Sequence, residues 1–260
     1  MSETSIEWTD ATWNPVTGCD RVSPGCDHCY ALDLAARLKA MGQPRYQKDG
    51  KPPTSGPGFG VTLHEDKLND PLRWRKPRMV FVNSMSDLFH PKVPIDFIAE
   101  VFHVMFAAPQ HTFQVLTKRP KRMATVVEEI YEDEGGLSPV APNIWLGVSI
   151  ESRAYVERAE WLRRTPAAVR FVSAEPLLGP LALDLDLTDV DWLIVGGESG
   201  PNRRPPEYRW VRDLCDVAPH YGTAFFFKQW GGRTPKAGGR ELDGRTWDEM
   251  PVAADPKGER

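Results

Sequence analysis

The chain has 260 residues, 41% of them apolar and 26% charged, with a formal net charge of −4. This is ordinary globular composition, long enough for one α/β barrel or two small domains. No apolar run reaches the roughly eighteen residues of a membrane span, the polar start Met1-Ser2-Glu3-Thr4 lacks a signal-peptide pattern, and the acidic balance argues against a long duplex footprint, so a cytoplasmic chain is expected.

Residues 6–13, rich in Thr and Trp, predict a first strand, ended by Asn14-Pro15. Cys19, Cys26 and Cys29 follow, spaced C-x6-C-x2-C, with Pro24-Gly25 as a turn between the first two. Clustered cysteines in such a chain favour a soft metal site over disulfides. A structural zinc wants four protein ligands; the fourth would be His28, Cys215 or a distant residue. An iron–sulfur cube on three cysteines instead keeps one iron open.

Residues 31–41 carry apolar residues at helical spacing and stop at Gly42. Residues 43–60, rich in Pro, Gly and Lys, predict a long mobile loop. Residues 61–64 predict a short strand and 66–74 a short helix broken by Pro71. Arg73, Arg75, Lys76 and Arg78 surround Trp74; a solvated turn is the favoured reading there, phosphate contact the sharper one. Met79-Val80-Phe81-Val82 is a continuous apolar run, the pattern of a strand buried on both faces. Further strands are expected at 113–116, 144–150, 169–173, 192–195 and 224–227. Helices are expected at 94–108, 121–131, 153–164 and 207–221, with an acidic loop at 132–142.

This alternation predicts βαβ units and an α/β fold: a (βα) barrel, partial or near-complete, of seven or eight mostly parallel strands. A doubly wound sheet is the runner-up. Residues 1–230 form the barrel, and the Gly-rich stretch 231–260 packs over a mouth or is partly disordered. Polar residues fall just after the apolar runs: Ser84, Asp87, Thr117, Lys118, Ser149, Glu151, Glu175, Glu198 and Lys228. In α/β barrels the active site lies on that face. Chain turning alone would account for about half of these placements. Nine tryptophans are many, and some are expected to line a pocket or stack on a planar substrate. Cys215 reads as a small buried thiol, and the histidines other than His28 as structural. No Walker loop, G-x-S-x-G elbow or H-E-x-x-H occurs.

The cysteine motif at the front of alternating strands and helices resembles the radical S-adenosylmethionine superfamily, whose usual spacing, C-x3-C-x2-C, is shorter by three residues. The rest is similar to an uncharacterised phage- and prophage-associated three-cysteine family. That likeness rests on Trp8-Thr9-Asp10-Ala11-Thr12-Trp13-Asn14-Pro15, Cys29-Tyr30-Ala31, Asn83-Ser84-Met85-Ser86-Asp87-Leu88-Phe89, Leu116-Thr117-Lys118-Arg119-Pro120, Ser173-Ala174-Glu175-Pro176-Leu177, Gly196-Gly197-Glu198-Ser199-Gly200 and Phe227-Lys228-Gln229-Trp230-Gly231-Gly232.

The resemblance implies a [4Fe–4S] cluster on Cys19, Cys26 and Cys29, S-adenosylmethionine on the open iron, and hydrogen abstraction from a substrate. It also implies an electron donor of flavodoxin or ferredoxin type. The segments Ser84–Asp87 and Gly196-Gly197-Glu198 compete for the methionyl amino group, and the glycines also suit a ribose or phosphate. Ser149 and Glu151 would hold ribose hydroxyls, Lys118 or Arg119 the methionyl carboxylate or a phosphate, and Glu175 belongs to the same rim. His28 would pack near the adenine. The phage association and the Arg73–Arg78, Arg203–Arg204 and Lys228–Lys236 patches suggest a nucleotide, DNA or RNA base as substrate. The alternative is a zinc-bearing module that binds nucleic acid or a protein without radical chemistry.

Overall fold

The computed structural model describes residues 2–4, 6–133, 140–234 and 236–251. One sheet dominates. Its strands are β1 (Ser2–Glu3), β2 (Ala11–Trp13), β5 (Met79–Val82), β6 (Thr112–Thr117), β7 (Ile144–Ser149), β8 (Val169–Ala174), β9 (Trp192–Gly196) and β10 (Ala224–Gln229). They lie side by side in chain order. β1 pairs antiparallel with β2, and every later pair is parallel. The result is an α/β fold with a seven-stranded parallel sheet curled into a half-barrel. The helices are α1 (Tyr30–Ala40), α2 (Ile95–Phe106), α3 (Pro120–Asp133), α4 (Glu157–Arg164) and α5 (Tyr208–Val217).

The two sheet faces bury different side chains, because strand residues alternate. On the outer face Val82, Phe113, Val148, Val195 and Phe227 pack in one cluster with Phe102 of α2, Met123 of α3, Leu162 of α4 and Leu214 of α5. On the inner face Phe81, Trp145, Phe171, Trp192, Ile194 and Phe226 form a second cluster, joined by Trp8. Trp192 is its hub: its ring lies 6.1 Å from Trp145, 5.9 Å from Phe171 and 5.8 Å from Phe226. These tryptophans fill the barrel instead of lining a pocket.

Three local expectations change. Residues 62–63 are not a barrel strand: β4 (Thr62–Leu63) pairs with β3 (Val16–Thr17) as a separate ribbon. Residues 65–73 form two single 3-10 turns, Glu65–Lys67 and Pro71–Arg73, not a helix. The 43–60 loop is knit to the body. Asp49 accepts bonds from Lys39 Nζ and from the Gly58 amide, Ser55 and Phe59 are buried, and a Cβ at Gly60 would stand 2.5 Å from the Asp49 carbonyl oxygen. Further along, β8 reaches β9 without a helix. Leu177, Leu181, Leu185 and Leu187 cover the outer face there.

The residues after β10 return along its edge. Phe227 donates to the Trp247 carbonyl at 2.9 Å and Glu249 to that of Phe225 at 3.2 Å, which covers an otherwise open strand edge. Met250 then packs against the inner cluster. Positions 252–260, and 134–139 of the acidic loop, lie outside the described residues. Among the described residues no helix is long and apolar enough to cross a membrane.

Two predictions follow from this packing. A Cβ at Gly147 would stand 2.5 Å from the ring of fully buried Phe171, so Gly147→Ala should destabilise by about 1–3 kcal/mol, read as a lowered denaturant midpoint. His64 bonds Thr17 Oγ1 at 2.8 Å through Nε2, and burial pulls its pKa down to about 4. Burial also lowers His90 and His111. The folded state therefore favours neutral rings, and their contribution is complete above about pH 6.5. Unfolding midpoints should drop as pH falls from there toward 4, and His64→Gln should flatten that part of the profile.

Candidate active site

The cysteine loop leaves the sheet at a fixed point. Asn83 ends β5 with φ 61°, a left-handed conformation that asparagine tolerates, and its Oδ1 accepts the Val16 amide at 3.3 Å. Asn14 Oδ1 accepts the Met85 amide at 3.0 Å. Gly18 donates to the Met85 carbonyl at 2.9 Å and extends the parallel pairing to Ser86. Its φ is +88°, and a Cβ there would stand 2.4 Å from the Gly60 carbonyl oxygen, so only glycine fits. Cys19 is the next residue. Pro24–Cys26 makes one 3-10 turn, and Cys29 is the N-cap of α1.

This path brings Cys19, Cys26 and Cys29 to one cavity of about 130 Å³ at the carboxyl ends of β5, β6 and β7. The same cavity is lined by Ser84, Asp87, Lys118 and Ser149, with Phe59, Phe81 and Leu116 as apolar walls. All three cysteines are unbridged. Asp87 ties the surroundings together. It accepts Thr117 Oγ1 at 2.7 Å, the Lys118 amide at 3.1 Å, Arg119 at 2.9 Å and the Phe89 amide at 3.0 Å. Arg119 also donates to Cys19 Sγ at 3.6 Å and to the Asp20 carbonyl at 3.0 Å. Asp20 in turn meets Thr54, His90 and Lys92. Burial opposes its charge, yet these three outweigh it and hold its pKa down to about 2.

The other expected site residues stand outside the cavity lining. Glu151 is fully buried; it pairs with Arg158 at 3.0 Å and accepts the Gly25 amide at 3.4 Å. Glu198 holds Arg204 at 2.6 Å and His28 Nδ1 at 3.0 Å. Burial works against the Glu198 charge, but Arg204 and His28 outweigh it and keep the carboxyl below its usual range. Arg204 also donates to the Pro24 carbonyl at 2.8 Å. Both carboxylates thus clamp the cysteine loop from behind. A Cβ at Gly197 would stand 2.1 Å from the Trp230 carbonyl oxygen, and one at Gly196 would stand 3.2 Å from Glu175 Cδ. Those glycines make room for protein atoms. Glu175 pairs with Lys228 at 2.6 Å. Cys215, on the buried side of α5, sits in the outer core.

The donor set bears on which metal group fits. Among the described residues no three His, Cys, Asp or Glu side chains are grouped so as to hold a metal ion. Neither His28 nor Cys215 lines the cavity to supply a fourth ligand. An iron–sulfur cube bonds each cysteine at a different iron, so it asks for three sulfurs around a cavity and no fourth. Three unbridged cysteines at one cavity are the donors such a group would use. Burial, and after it the Asp87 carboxylate, push the Cys19 thiol up to about 12 against the pull of Arg119, and burial raises Cys29 as well. Such thiols give up their protons when a metal takes their place.

Sequence reading did not find Arg158 or the Asp20–His90 contact, and it listed Arg204 only as part of a basic pair. Each acts through a partner far along the chain, where no local signal exists.

The fold and cavity define a class: an α/β half-barrel with a three-cysteine loop at the carboxyl edge of its sheet. Residues 3–251 match the model of the family described as Protein of unknown function (DUF5131), and the chain belongs to that family. Comparison with curated proteins gave no match, and neither did comparison with solved structures.

The Asp87 and Arg119 side chains are only 8% and 11% exposed. Asp87→Ala should therefore cost about 3–5 kcal/mol by stranding the guanidinium, measured by chemical denaturation.

Proposed function

We propose that this chain is a radical S-adenosylmethionine enzyme, its half-barrel a partial barrel of that superfamily's type, with a [4Fe–4S] cluster on Cys19, Cys26 and Cys29. One observation carries the reading: three unbridged cysteines line a single cavity together with Ser84, Asp87, Lys118 and Ser149 at the carboxyl edge of a parallel sheet. In α/β barrels that edge is where chemistry resides. The cluster and S-adenosylmethionine, when bound, supply reductive cleavage of the sulfonium and hydrogen abstraction from an unactivated carbon.

The chain's own residues then divide the work. Arg119 is committed to Asp87, the Asp20 carbonyl and Cys19, so it positions the first sulfur. Lys118 lines the cavity and has no ion pair among the described residues, as is true of Arg21 on the same lining; Lys118 is the cation we assign to the methionyl carboxylate. Ser149 lines the cavity too, and we assign it to a ribose hydroxyl. Phe59, Phe81 and Leu116 exclude water from the reacting atoms. Glu151 and Glu198 hold the loop and leave cofactor contact to the cavity residues. An electron donor of flavodoxin or ferredoxin type completes the reaction.

Anaerobic reconstitution should yield brown protein with about four irons and four sulfides per chain. With S-adenosylmethionine and dithionite it should form 5′-deoxyadenosine. Cys26→Ala should lose both colour and cleavage. Lys118→Met should keep the colour and raise the KM for S-adenosylmethionine about tenfold. Colourless protein with one zinc and no cleavage would overturn the reading.

A further inference from the structure

The basic segment Arg73-Trp74-Arg75-Lys76-Pro77-Arg78 lies at the opposite end of the sheet from the cysteines. It runs into the amino end of β5, whereas the cavity opens at the carboxyl ends of β5, β6 and β7. No acidic residue occurs between Asp70 and Asp87, so the stretch carries four positive charges in a chain whose net charge is −4.

The segment is fastened at both ends. Buried His111 donates through Nε2 to the Pro71 carbonyl at 3.2 Å, and its ring stands edge-on to Trp74 at 5.6 Å. Trp74 is half-buried and packs against the outer core. At the other end the Arg78 carbonyl accepts the Thr112 amide at 2.9 Å. The tryptophan thus ties the backbone down, while Arg73, Arg75 and Lys76 are exposed and Arg78 is half-buried. None of the four cations makes an ion pair among the described residues. The neighbouring carboxylates are engaged elsewhere: Asp70 pairs with Lys67 at 3.9 Å, and Asp10 accepts the Met79 amide at 2.8 Å.

We infer that residues 73–78 contact the phosphate backbone of a nucleic acid, without regard to its sequence. A row of fixed, unpaired cations complements a regular row of anions, and arginine forks match phosphate oxygens. Five residue steps of at most ~3.6 Å span no more than about 18 Å, the axial length of about five phosphates on one strand of a duplex. So short a footprint is compatible with the acidic balance of the whole chain. Leu72 is the one exposed large apolar side chain beside the cations, and docking on a lipid surface asks for a larger apolar face. The contact needs no cluster, so it stands apart from the proposed enzyme reading.

The test is fluorescence anisotropy of a short labelled duplex with the full chain, repeated over a series of KCl concentrations. Four phosphate contacts give a log–log salt slope of about −3.6, so raising KCl from about 50 to about 200 mM should weaken wild-type binding about hundredfold. The variant R73Q/R75Q/K76Q changes only exposed side chains. It should keep the wild-type denaturant midpoint and flatten the slope to about −1. The variant R37Q/K51Q, which removes two exposed cations elsewhere, should leave the slope as in wild type. Cys26→Ala should leave it unchanged too, so a failed cluster and a failed phosphate contact give different results. No binding at the lowest salt, a slope untouched by R73Q/R75Q/K76Q, or the same flattening by R37Q/K51Q would overturn the inference. So would anionic phospholipid vesicles or polyglutamate that displace the labelled duplex better than unlabelled duplex does at equal charge.

Discussion

The Asp87 carboxylate bonds the end of β6 through Thr117 and the Lys118 amide, its own loop through Phe89, and the guanidinium of Arg119. Through Arg119 it reaches the sulfur of Cys19. Two strand ends and the first cysteine are thus held by one buried carboxylate. Hydrogen bonds to a buried charge are stronger than neutral ones and costly to break singly, so the site's geometry is fixed where it borders the sheet. On its far side the loop is fixed by Glu151 at Gly25 and by Glu198 through His28 and Arg204. A cysteine loop held from both sides presents its sulfurs with little left to order.

The barrel supports this arrangement by being filled below and open above. Large aromatic side chains occupy the inner face around Trp192, and Gly147 makes space for Phe171 among them. The inward positions nearer the carboxyl ends carry smaller or charged groups: Ser149, Gly196, Glu175 and Lys228. The step from aromatic filling to polar mouth falls within the same strands and leaves the sheet uninterrupted. The half-barrel's edges are handled by the chain's own ends, β1 on one side and residues 247–249 on the other.

Much of the fold was legible in local pattern. The run Met79–Val82 and the fully buried Ile144–Ser149 read as parallel strands because two-sided burial leaves only apolar residues. The spacing of the cysteines and the polar residues after each strand located the cavity's sulfurs and five of its polar residues, Ser84, Asp87, Thr117, Lys118 and Ser149. What escaped depends on partners distant in sequence. Glu151 meets Gly25 across 126 residues and Glu198 meets His28 across 170, so nothing local separates a clamp from a cofactor ligand. The 43–60 loop misled by composition: its glycines serve close packing, as at Gly60, where mobility was expected. The ribbon of β3 and β4 is too short to carry an alternation pattern.

The central claim is that Cys19, Cys26 and Cys29 carry an iron–sulfur cube with one iron left for S-adenosylmethionine. Electron paramagnetic resonance of the anaerobically reconstituted, dithionite-reduced protein tests it most directly. The account predicts a reduced [4Fe–4S] signal whose shape changes when S-adenosylmethionine is added, because the ligand binds the open iron. A protein with no such signal, or one whose signal S-adenosylmethionine leaves untouched, would contradict it.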